Sequence, residues 1–173
     1  MEGRAMQDHE ISAGDEATFV GAIGATVVAA WFLIVDLIAG RPLRTPSVLG
    51  QVLLLGRSRP SVDRIDFGAV VLYTAVHFVL FLAFGFLLVT LVRWAARQAV
   101  VRYALLQLFL VFELFFVGVL MLVSETTRAL FPFWTVLAAN TLAAVAMGAY
   151  LWRHHPAVRR LLRETPLGAA PLE

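Results

Sequence analysis

The chain has 173 residues, of which 60% are hydrophobic and only 15% charged, with a formal net charge of +2 and a mean hydropathy of +0.81. A soluble domain is nearer half apolar and a quarter charged, so this composition excludes a soluble enzyme, a disordered chain and a nucleic-acid-binding domain, and the natural solvent is lipid. There are no cysteines, which excludes disulfides and thiolate chemistry, and no lysines, which excludes a Walker-type phosphate site.

The first 18 residues form an acidic tail, with Glu2, Asp8, Glu10, Asp15 and Glu16 against one Arg. A signal peptide starts basic and has a shorter apolar stretch, so the first apolar run is expected to stay as a helix. Four such runs follow, at 19–40, 67–92, 103–124 and 129–152. A hydrocarbon core about 30 Å thick requires about 20 residues of helix, and backbone in lipid must satisfy its own hydrogen bonds. The expected fold is therefore all-α: a transmembrane four-helix bundle over 19–152, with a basic C-terminal tail at 153–173.

Between the first two spans, 41–66 opens with Arg41, Arg44 and Pro46, turns apolar, and closes with Arg57 and Arg59. Its apolar part is too short to cross, which predicts a short interfacial or re-entrant helix with Thr45 as cap and Pro46 as first residue. In the tail, Arg159, Arg160 and Arg163 alternate with Val158, Leu161 and Leu162, a pattern that suits a basic helix on anionic headgroups as well as a short solvated extension. Eight Arg fall on the side of the termini and six on the other, which favours cytoplasmic termini by the positive-inside rule. The acidic leader and the Arg-rich loop after span one argue the reverse.

The stretch from Val35 through Asp36-Leu37-Ile38-Ala39-Gly40-Arg41-Pro42-Leu43-Arg44-Thr45-Pro46 to Gly50 resembles a segment of small bacterial integral membrane proteins, loosely extended to Tyr73, His77 and Phe78. The resemblance implies a bacterial inner-membrane, multi-pass location. It supplies no functional residue.

Polar groups inside lipid carry the specific information. At about 1.5 Å per residue, His77, Glu113 and Asn140 each lie about 15 Å into their own spans, near the midplane. They are expected to turn inward and meet, with Tyr73 and Thr74 on the His77 face and with Asp36 shallower, beside Arg41. As interhelical glue, such a cluster fixes register. As a proton relay, it needs His77 to titrate and a route to both faces, with Asp36 and Tyr73 marking the loop side and only Thr90 and Gln107 on the other. A metal or haem site at His77 is a third reading, short of ligands. No GxSxG, HExxH or paired-carboxylate motif is present, so neither enzymatic chemistry nor a cofactor is expected.

Small residues at Gly21, Ala25 and Ala29, at Ala139 and Ala143, and at Ala144 and Gly148 predict close helix packing. That packing is expected inside the bundle, with self-association or docking onto a larger membrane complex as the alternative. The expectation is a small membrane protein with a scaffold or accessory role, with lipid, a second copy or a membrane complex as partner. A proton- or ion-conducting element is the rival.

Overall fold

The computed structural model describes residues 12–95, 110, 114 and 132–154. All regular structure among them is helical. Three helices are long and apolar enough to cross a membrane: α1 (Ala13–Ile38), α3 (Phe67–Ala95) and α4 (Phe133–His154). A short helix, α2 (Arg44–Leu49), lies between the first two and continues as a wider π-helical turn, Gly50–Leu54. The expected run 103–124 lies outside the described residues apart from two isolated positions, and so does the tail beyond His154, including Arg159, Arg160 and Arg163.

Helix α1 starts at Ala13, inside what composition marks as an acidic tail. Ser12 caps it, its Oγ accepting the Asp15 N–H at 3.2 Å, and Asp15 and Glu16 sit in the first turn, where negative charge complements the helix dipole. The helix ends in a Schellman motif. Gly40 takes φ +70°, its N–H bonds Leu37 O, and the Arg41 N–H bonds Asp36 O. Leu43 then also adopts a left-handed φ of 63°, uncommon for a bulky residue, and this second reversal points α2 back toward α1.

Helix α2 begins at Arg44, so Thr45 is not its cap as expected, and Pro46 lies in the first turn, where its missing N–H costs nothing. The short helix buries Thr45, Ser47, Val48, Gly50 and Gln51 and leaves Leu53, Leu54 and Leu55 exposed. Gly50 lies on the Ala69 carbonyl so closely that a Cβ would overlap it, which seats α2 at the start of α3. Asp66 caps α3, accepting the Ala69 N–H at 3.0 Å. Pro132 immediately precedes α4, and its carbonyl accepts both the N–H and the hydroxyl of Thr135.

Helix α1 is central and packs against both α3 and α4. The α1–α3 pair is antiparallel: Glu16 pairs with Arg93 at one end, Gly21 lies against Phe81 and Leu82, and Ala25 meets His77. The α1–α4 pair is antiparallel as well, with Gly24 against Met147 and Trp31 against Thr135. The core among the described residues consists of Ala17, Val20, Ala25 and Val28 of α1, Phe81, Val89 and Val92 of α3, and Ala139, Ala143, Met147 and Leu151 of α4. Of the predicted small-residue rows, Gly21, Ala25, Ala139 and Ala143 are buried inside. Ala29 and Gly148 are exposed, and a Cβ at Gly148 would meet nothing within 4 Å among the described residues.

Candidate functional site

The two reversals after α1 place α2 over the gap between the C-terminal half of α1 and the N-terminal half of α3. The result is a cavity of about 390 Å³. Its walls are mostly apolar: Ala29, Ala30, Phe32 and Leu33 from α1, Leu43 and Pro46 from the turn and α2, and Phe78 from α3. Among the described residues six polar side chains also line it: Thr26 and Asp36 from α1, Thr45 from α2, and Tyr73, Thr74 and His77 from α3.

Asp36 closes the loop end. It is buried, and both of its oxygens accept from a single residue: Oδ2 takes the Thr45 N–H at 2.7 Å and Oδ1 the Thr45 hydroxyl at 2.8 Å. The carboxylate thus does the work of an N-cap for α2, from a position nine residues upstream, since Leu43 at the cap has no side-chain acceptor. The expected partner was Arg41. The Schellman turn instead spends the Arg41 N–H on the Asp36 backbone carbonyl, and the Arg41 side chain is exposed. The two ion pairs among the described residues are Arg57–Asp66 and Arg93–Glu16, and neither involves Asp36.

His77 lies at the inner end. Its Nε2–H donates to the Ala25 carbonyl at 3.1 Å, which ties α3 to α1. The ring stacks on Tyr73 at 5.9 Å and 20° and packs against Phe81 at 4.8 Å. Beyond His77 the two helices close, because Gly85 sets its Cα against the Ala17 carbonyl and Gly21 backbone. Thr90, the next polar group on that side, donates its hydroxyl to Phe86 O of its own helix. Asn140 is buried on α4, and Glu113 lies outside the described residues. The structure therefore brings Asp36, Tyr73 and His77 to one cavity and gives His77 a backbone partner on α1.

Sequence reading overlooked a second polar assembly, under α2. Gln51 is fully buried. Its Nε2 donates to Ser47 O and Oγ and to Ser61 O, and its Oε1 accepts from the Ser61 N–H at 2.9 Å and from Arg57 at 3.1 Å. Arg57 also pairs with Asp66 at 3.0 Å, and the Asp66 N–H reaches Ser47 Oγ. The Ala69 N–H, helped by the Arg57 guanidinium, holds the Asp66 carboxyl below its ordinary 3.8 against an opposing effect of burial. A single Gln inside the apolar run 47–56 was the available signal. Glu16, which composition places in the acidic tail, is buried and its carboxylate accepts from Arg93 at 2.9 Å.

Near the other end of the described chain, His154 donates Nδ1–H to Tyr150 O at 2.9 Å and stacks on the Tyr150 ring, which satisfies a terminal carbonyl of α4. No group of three or more potential metal ligands occurs among the described residues. Comparison with known protein families, with curated proteins and with solved structures finds no match to this chain.

Proposed function

We propose that this is a four-span protein of the bacterial inner membrane with a scaffold or accessory role in the membrane or in a membrane complex, and without enzymatic chemistry of its own. The main support is how the polar groups at depth are used. Asp36 joins α1 to α2, His77 joins α3 to α1, and Trp31 Nε1 joins α1 to the Thr135 carbonyl of α4 at 2.9 Å. Each bond links one element to another, as polar residues that hold membrane helices in register do.

Helix direction supports the fourth span. Arg93, at the end of α3, meets Glu16 at the start of α1, whereas Thr135, at the start of α4, meets Trp31 in the last third of α1. A connection from Ala95 to Pro132 that changes sides fits this arrangement, and the apolar run 103–124 has the length to do it. With cytoplasmic termini, Cys introduced at Gln98 and at Thr126 in this naturally Cys-free chain label from opposite sides. Labelling from one side would remove the fourth span.

The rival is a proton- or ion-conducting element using His77 and Glu113, favoured by the cavity that collects Asp36, Tyr73 and His77 on the loop side. The backbone contact of Gly85 with Ala17 beyond His77 weighs against a continuous path along this seam. Proteoliposomes loaded with a pH dye decide between the two. The accessory reading expects no proton flux under an imposed potential. A flux lost in both Glu113→Gln and His77→Ala would replace it with conduction.

A further inference from the structure

We propose that the cavity between α1, α2 and α3 is a binding site for a hydrophobic organic monocation drawn from the bilayer, with Asp36 as its counter-charge. This stands independently of the accessory role, which requires no ligand.

Volume comes first. About 390 Å³ lies within the range of sites that hold small molecules, and the mostly apolar walls with a few convergent polar groups have the usual chemistry of such sites. Access follows from exposure. Thr26, Ala29, Ala30 and Thr74 line the cavity and are exposed along α1 and α3, so it opens sideways between two membrane-spanning helices. A ligand entering there comes from lipid and needs an apolar body.

Charge selects the sign. Among the described lining residues Asp36 is the one formal charge, and it is buried. A carboxylate offers about four lone-pair sites, and Thr45 fills two. No cationic side chain pairs with it among the described residues: Arg57 and Arg93 are committed to Asp66 and Glu16, and neither the exposed Arg41 nor the half-buried Arg44 forms an ion pair with it. A buried carboxylate with hydrogen bonds but no counter-ion attracts a cation strongly in a low dielectric. The ring of Phe32, one turn before Asp36 on α1, supplies a face that a cation also favours. Asp36 lies about 16 Å from the level of His77 by helix rise, so the apolar body extends inward along the groove while the charge sits at the loop end.

The test uses two ions of the same shape and opposite charge, tetraphenylphosphonium and tetraphenylborate. Their binding is measured by equilibrium dialysis against the full-length protein in nanodiscs of zwitterionic lipid, with empty discs subtracted. Native protein should bind the phosphonium saturably and at least tenfold more tightly than the borate. Asp36→Asn keeps an acceptor for the Thr45 N–H and should weaken phosphonium binding at least tenfold. Ala30→Trp fills the groove without touching the carboxylate and should do the same. Equal binding of the two ions, or undiminished binding in a folded Asp36→Asn protein, would overturn the proposal. Should Asp36→Asn fail to fold, undiminished binding in Ala30→Trp would overturn it.

Discussion

The same two helices form two different interfaces. Toward the termini, α1 and α3 touch backbone to backbone at Gly21 and Gly85, with Ala17, Val20 and Val89 buried around them and the Glu16–Arg93 pair at the edge. Toward the loop they part around a cavity lined by Thr26, Tyr73, Thr74 and His77, and α2 folds over the opening. Residue size sets the difference. Where both helices present glycine, dispersion contacts and backbone proximity hold them, as lipid offers no hydrophobic drive for helices to associate. Where α3 carries Tyr73 and His77, the axes stay apart and specific hydrogen bonds do the joining. One end of the α1–α3 pair is solid and the other is hollow.

The largest effect expected from this contrast is at Gly85. A Cβ there overlaps the Ala17 carbonyl, which is backbone and cannot rotate away, so Gly85→Val should destabilise by about 1–3 kcal/mol or more, as overpacking does. The matched change in the hollow half, Ala30→Val, adds bulk at an exposed position and should stay within about 0.5 kcal/mol. Reversible unfolding in mixed micelles with increasing denaturing detergent measures both. Equal costs would erase the distinction between the two halves.

Next is Gln51→Leu, which keeps the side chain's bulk and removes its donors and acceptor. The Ser61 N–H and the Arg57 guanidinium lose a partner, at a cost of about 1–3 kcal/mol. Faster proteolysis within 55–66, with the membrane helices intact, is the expected signature. The smallest effect concerns pH. The folded Asp66 carboxyl titrates below its ordinary 3.8, so its contribution is complete above that value and is lost as pH falls through the lowered one. Hydrogen exchange at the Ala69 amide should therefore gain, below about pH 4, an opening absent in Asp66→Asn, once the intrinsic exchange rate is divided out.

Three membrane helices were legible in the sequence because bilayer thickness imposes a length that composition reveals directly. Their ends were less so. Composition alone assigns Glu16 to solvent, since its partner Arg93 is far along the chain and only antiparallel packing brings the two together. Asp36 was recognised as a polar group of interest, but spacing along a helix suggested Arg41. Only the left-handed Leu43 after the Schellman turn delivers Thr45 instead. The burial of Gln51 depends on a loop that folds back from Ser61, which no periodicity encodes. Gly85 stands alone among Phe and Leu residues, and a lone glycine in such a run is the mark of a close helix crossing.

The polar links also form a timetable for biogenesis. A bond can close no earlier than the synthesis of its later residue, and here those residues come in a regular succession. Thr45 completes the Asp36 latch, Ser61 and Asp66 complete the assembly around Gln51, His77 reaches back 52 residues to Ala25, and Arg93 reaches back 77 to Glu16. Only then does Thr135 arrive to accept from Trp31, 104 residues upstream. The nascent chain can thus settle α1, α2 and α3 into a bonded hairpin before α4 has left the ribosome, with the α4 side of α1 left to lipid or to the insertion machinery until the final span docks.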